Sequence, residues 1–194
     1  MRFIVLAACL VVLSTAPAVG AIEGEFDPAF GNDAGRSVYF ADFGNSNAAS
    51  AGGIERLASG GYLAVSAVDT PSGPRVLYAR FDHAGKPNLP QSLVADDLAP
   101  DGRVLIDAGG HVAYTSAVLQ SGRAAIRVVR RLANATPEPG FGNAGIAVIA
   151  HPTLDLVATG LMQDSTGRIV VVGYAKPAGT PADDNLVDAM LARL

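Results

Sequence analysis

The sequence predicts an all-β fold of tandem antiparallel β-meander repeats. Three observations carry this: short β-branched runs bounded by glycine, landmarks that recur in a fixed order, and no room for a long helix within any unit. The clearest run is Asp164–Gly173, where a polar turn, Ser165-Thr166-Gly167, leads into Ile169-Val170-Val171-Val172 and Gly173 stops it. A run this short and this rich in β-branched side chains reads as a strand covered on both faces.

The chain opens with Met1-Arg2, an unbroken apolar run over Phe3–Leu13, and a small-residue stretch, Ser14–Ala21. This is the layout of a secretory signal peptide over 1–21, with Val19-Gly20-Ala21 as cleavage site and Ile22 as the new first residue. Eleven apolar residues at about 1.5 Å each reach only about half of a bilayer core of roughly 30 Å, so no membrane span is expected after cleavage. Leu6-Ala7-Ala8-Cys9 resembles a lipobox, which keeps a lipoprotein reading open through Cys9. Only six apolar residues, Ile4 to Leu6 among them, precede it, fewer than an h-region normally holds.

Cys9 is the only cysteine. A cleaved chain therefore has no thiol for disulfides or metal ligation, and an exported domain of this kind depends on its core. About 170 residues suffice for one domain, 22–194. The 14 basic and 18 acidic residues form no block of one sign, which argues against a nucleic-acid partner. The densest basic spot, Arg127-Val128-Val129-Arg130-Arg131, reads as the solvent side of a strand.

Three landmarks define the repeat. Phe26-Asp27-Pro28-Ala29-Phe30-Gly31-Asn32 is matched by Pro137-Glu138-Pro139-Gly140-Phe141-Gly142-Asn143, with Phe30 and Phe141 lying 111 residues apart. Glycine-led strands follow Gly61, Gly110 and Gly167, which are 49 and 57 residues apart. Arginine-ended strands close each unit at Arg80, Arg130-Arg131 and Arg193. The approximate units are 24–83, 84–134 and 135–194.

Within a unit the expected order is a first strand (Arg36–Phe40; Ile146–Ala150), a second (Gly53–Leu57; Val104–Ile106; Val157–Met162) and the glycine-led strand (Tyr62–Ala67; His111–Ser116; Arg168–Tyr174). A polar loop (Asp69–Pro74; Gln120–Arg123; Lys176–Asn185) then leads to the arginine-ended strand. Four short strands per unit of about 50 residues are what β-propeller blades require.

These motifs resemble the delta-60 repeat family of bacterial proteins, whose units carry a D-P-x-F-G turn, a D-G-[KR]-[IV]-[VL]-V-x-G strand and an R-[LF] ending. Asp27 to Gly31 supplies the first motif, Asp164 to Gly173 the second with Thr166 in an aspartate slot, and Arg80-Phe81 and Arg193-Leu194 the third. The resemblance covers nearly the whole chain after the leader and implies propeller blades and a bacterial source. It implies no catalytic residues.

The middle unit departs from the pattern. Asn88-Leu89-Pro90-Gln91-Ser92-Leu93 stands where a Phe-Gly turn is expected, and Pro100-Asp101-Gly102 adds a second glycine turn. Three units are fewer than the four to eight blades that close a propeller. An incomplete propeller leaves blade edges and faces that need cover. Polar capping of a curved stack, self-association through uncovered edges into a six-blade ring, and a longer parent chain all answer that need.

Chemistry is thinly signalled. His83, His111 and His151 have no second histidine at metal-ligand spacing, and Asp96-Asp97 and Asp183-Asp184 lack an EF-hand register. No G-x-S-x-G elbow or phosphate-cradling loop occurs. We therefore assign no catalytic, cofactor or metal residue. Phe30, Gly31, Gly61, Arg80, Gly110, Phe141, Gly142, Gly167, Gly173 and Arg193 are structural landmarks, with the two phenylalanines expected to plug gaps between blades. The sequon Asn134-Ala135-Thr136, followed by Pro137, reads as accidental. Tryptophan is absent and aromatics make up 6%, which weakens a lectin reading without removing a saccharide partner. The leading expectation is a secreted or periplasmic, non-enzymatic module that binds an unidentified protein or saccharide. The alternative is a hydrolase or lyase with Asp101, Asp107 and Asp164 converging at a propeller mouth.

Overall fold

The computed structural model describes residues 29, 48–71, 73–94, 103–179 and 188–194. The leader, Cys9, the Phe30-Gly31 turn, the Arg36–Phe40 strand, Asp96-Asp97, Asp101 and Asp183-Asp184 lie outside them. The described residues are all-β, with three antiparallel meanders. The first sheet holds β1 (Ala48–Arg56), β2 (Tyr62–Thr70), β3 (Gly73–Phe81) and β4 (Pro87–Val94). The second holds β5 (Val104–Ile106), β6 (Val112–Gln120), β7 (Arg123–Arg131) and β8 (Ile146–Ile149). The third holds β9 (Leu154–Gln163), β10 (Ile169–Pro177) and β11 (Asp188–Arg193).

One five-residue turn builds the corners of all three sheets. Its first N–H donates to the carbonyl of its fifth residue, and its fourth N–H donates back to the carbonyl of the first. This pattern occurs at 57–61, 82–86, 107–111, 132–136 and 164–168. The fourth position requires positive φ, and Gly60, Gly85, Gly110 and Gly167 supply it at 93°, 76°, 83° and 86°. Ala135 adopts 67° at the fifth corner. The true counterpart of Gly110 and Gly167 is thus Gly60, one residue before the expected Gly61. Gly61 is needed for a different reason, because a Cβ there would run into the Phe81 carbonyl.

Stacking of the sheets makes two cores. Leu63, Val65, Val76 and Tyr78 of the first sheet meet Ile106, Val112, Tyr114 and Val129 of the second. On its other side the second sheet presents Ala113, Ile126, Val128 and Phe141 to Leu156, Ala158, Ile169 and Val171 of the third. The first strands β1, β5 and β9 lie along one another, with β5 against both neighbours. At Gly52 this approach is so close that a Cβ would meet the Val65 carbonyl and the Val104 side chain. Each fully buried aliphatic side chain in these layers contributes about 1.5–3 kcal/mol.

Several sequence expectations are corrected. Asn88–Leu93 is part of strand β4, paired with β3 across a bulge between Tyr78 and Arg80. Pro87 and Pro90 suit it because a residue without an N–H is tolerated on an edge strand. β8, expected to open the third unit, pairs with β7 of the second. The sheets are therefore one strand out of phase with the sequence units, since the outermost strand of each four-stranded sheet comes from the unit that follows. The loop expected over Asp69–Pro74 shrinks to a tight hairpin in which Thr70 pairs with Gly73. Arg131 is buried, not on a solvent side, because its guanidinium donates to Tyr114 Oη at 3.3 Å and to the Ala135 carbonyl at 2.8 Å. Finally, β10 is covered on one face only: Ile169, Val171 and Ala175 are buried, whereas Val172 is 40% exposed.

Phe141 sits in the second core at 8% exposure. Gly142 follows it with φ of 53°, and a Cβ at that position would overlap the Ile146 carbonyl. Phe141→Ala is expected to lower unfolding stability by roughly 3–5 kcal/mol. Denaturant titration reads this as an earlier midpoint at unchanged slope.

Candidate functional site

The turns gather the chain's best candidates for chemistry, so their side chains decide what the site does. Asp82, Asp107 and Asp164 each occupy the first turn position. Asp82 Oδ1 accepts from the N–H groups of Ala84 and Lys86 at 2.9 and 2.8 Å. Asp107 Oδ1 accepts from Gly109 and His111, both at 2.9 Å. Asp164 Oδ1 accepts from Thr166 and Arg168 at 2.9 and 3.0 Å. An aspartate here satisfies two N–H groups that the tight turn leaves without strand partners. Asp107 Oδ2 also lies 3.1 Å from His111 Nδ1.

Asp164 is the most strongly held. The Thr166 hydroxyl donates to Oδ1 at 2.7 Å and the Arg168 Nε to Oδ2 at 2.9 Å. Donation by Thr166, reinforced by the backbone N–H groups and Arg168 against an opposing desolvation, holds its carboxyl well below the usual carboxylate range. Of the expected mouth carboxylates, Asp107 and Asp164 are thus turn acceptors, and Asp101 lies outside the described residues.

The arginine landmarks reach between sheets. Arg80 donates to the Ala133 carbonyl, in a turn of the second sheet. Arg130 donates to the Gly167 carbonyl of the third sheet at 3.3 Å, pairs with Glu138 at 2.8 Å and lies 5.9 Å from the centre of the Phe141 ring. Register shows that these are one position: Arg80 pairs with Leu63, Arg130 with Ala113 and Arg193 with Val170. At the opposite end Asp155 of β9 accepts from the Ala124 N–H of β7 at 2.9 Å. Sequence reading marked the arginines as strand ends but missed these cross-sheet bonds, because nothing local reveals which carbonyl lies opposite.

Room for a ligand is uneven. The recess bounded by Asp107, His111, Arg130 and Gln163 holds about 10 Å³, space for no more than a water molecule. A larger groove of about 360 Å³ opens at the turn end of the first sheet, lined by Gly61, Tyr62, Phe81, Asp82 and His83. His151 is exposed, with Nδ1 accepting from the Leu154 N–H at 3.2 Å. Among the described residues no three His, Cys, Asp or Glu side chains gather as a metal site, and no helix is long and apolar enough to cross a membrane. Gly173, the last landmark, lies where β9 bulges at Thr159 against β10, and a Cβ there would strike the Val157 carbonyl. No protein-family model matches the chain, and a search of curated proteins gives no significant match.

The Asp164 carboxyl is lowered from an ordinary 3.8, so the folded state binds its proton less readily than the unfolded state does. Its contribution to stability is present above about pH 4 and is lost as pH falls through the folded value. Asp164→Asn should therefore flatten the acid limb of the stability profile below about pH 4 relative to the parent chain. Thermal melts across that range check it, and superimposable limbs would remove the carboxylate from the turn's stability.

Proposed function

We propose that this protein is an exported, non-enzymatic module of delta-60-type, propeller-like repeats that offers its loops and sheet faces to an extracytoplasmic protein or saccharide. One observation supports the non-enzymatic reading: the two described carboxylates of the expected propeller mouth, Asp107 and Asp164, each spend an oxygen on two turn N–H groups. The recess beside Asp107 is also too small for a substrate. General acid or base work needs a carboxyl group facing a bound substrate in a sizeable pocket; the 360 Å³ groove has Asp82 in its lining, and Asp82 Oδ1 is likewise engaged by two turn N–H groups. Export rests on the n-, h- and c-region layout of residues 1–21.

Two measurements test this. Mass spectrometry of chain recovered from an exporting bacterial host should place the mature N-terminus at Ile22, and a retained leader would count against export. Incubation with polysaccharide and peptide panels should give retention without turnover. The pair Asp107→Asn and Asp164→Asn should lower the melting temperature and leave retention within about twofold. Turnover abolished by that pair in a folded protein would establish the hydrolase or lyase reading instead.

A further inference from the structure

We infer that the outer face of the third sheet is a docking surface for the outer face of the first sheet in a second copy of this chain. The ground is repeat equivalence with two interfaces that the chain already contains. Toward its follower, the first sheet presents the pairs Leu63–Arg80 and Val65–Tyr78, and the second presents Ala113–Arg130 and Thr115–Val128. Val65, Tyr78, Thr115 and Val128 are all fully buried. The same positions in the third sheet are Val170–Arg193 and Val172–Leu191. Here Leu191 is 73% exposed, and neighbouring Met162, paired with Val170, is 52% exposed. Side chains of core type thus occupy the register that packs twice inside the molecule, and they face solvent.

The complementary face is on the first sheet. Toward their predecessors, the second and third sheets present Val112 with Tyr114 and Ile169 with Val171, all essentially buried. The first sheet presents Tyr62 and Ala64 there, only half-buried, and Ile54, paired with Ala64, is 68% exposed. The polar features match as well. Arg80 and Arg130 each donate to a turn carbonyl of the next sheet, at Ala133 and Gly167. Their counterpart Arg193 is exposed, and the counterparts of those carbonyls in the first sheet are His83 and Gly60. His83 borders the 360 Å³ groove, whose lining also holds Asp82 and Arg80; the Arg80 guanidinium is engaged with the Ala133 carbonyl of the next sheet, and Asp82 is the acidic partner available to the incoming guanidinium. A second copy supplies both halves at once, so two chains close head to tail into a ring of six sheets, within the range that closes a propeller.

Sedimentation velocity on the full chain, purified from an exporting host, tests the assignment. The expected result is a dimer that Leu191→Asp or Arg193→Glu dissociates by roughly 100-fold, with cooperative melting retained because both side chains are exposed. Ile54→Glu should dissociate it likewise from the other face. Mixing the Leu191→Asp and Ile54→Glu chains should restore association, because one unaltered third-sheet face then meets one unaltered first-sheet face. A wild-type monomer at high micromolar concentration would overturn the inference and leave the face to a different chain or a further repeat. A dimer indifferent to Leu191→Asp would overturn it as well. So would one that survives Ile54→Glu, since that behaviour belongs to third sheets meeting face to face.

Discussion

Burial of both faces of the second sheet is the constraint on which the remaining structure depends. A sheet exposed on two sides cannot offset the conformational entropy lost in ordering it. Here Val112 and Tyr114 are covered by the first sheet, and Ile126 and Val128 by the third. Alternation along β6 and β7 sends consecutive residues to opposite cores, which is why the run Val112–Ser116 is buried without interruption. The turns, the arginine clamps and the close approach of β1 to β5 all keep these layers in register.

The five-residue turn explains why glycines and aspartates recur at fixed positions. Closing the corner demands a left-handed residue at its fourth position and leaves two N–H groups to be met by a side-chain oxygen. Asp82, Asp107 and Asp164 meet that demand, and the interval from turn to turn is 25 residues from Leu57 through Leu132. The repeat is therefore finer than one sheet. Alternate strand connections, not only one per blade, carry a copy of the corner, and Arg80 and Arg130 link one sheet to the turn carbonyls of the next.

That linkage also separates stability from function. Charged groups that look reactive in the sequence are absorbed into turns and cross-sheet bonds, while the surfaces left open are apolar strand faces and the groove beside Tyr62 and Phe81. The proposed module and the proposed pairing of two copies draw on different parts of the molecule, the turn carboxylates in one case and the outer sheet faces in the other.

The sequence alone determined the all-β class, the glycine-led and arginine-ended strands and the inward role of Phe141, because these depend on side-chain period, turn chemistry and short-range pattern. It also marked Arg80, Arg130-Arg131 and Arg193 as matched strand ends, and strand register then singles out Arg130 as the middle counterpart. Only the tertiary structure decided that β8 joins the preceding sheet, that Gly60 and not Gly61 is the turn glycine, that Arg131 is buried, and that one face of β10 stays open. Strand partnership and face coverage arise from contacts between residues far apart in the chain, and an alternating or β-branched run is equally compatible with either neighbour until packing selects one.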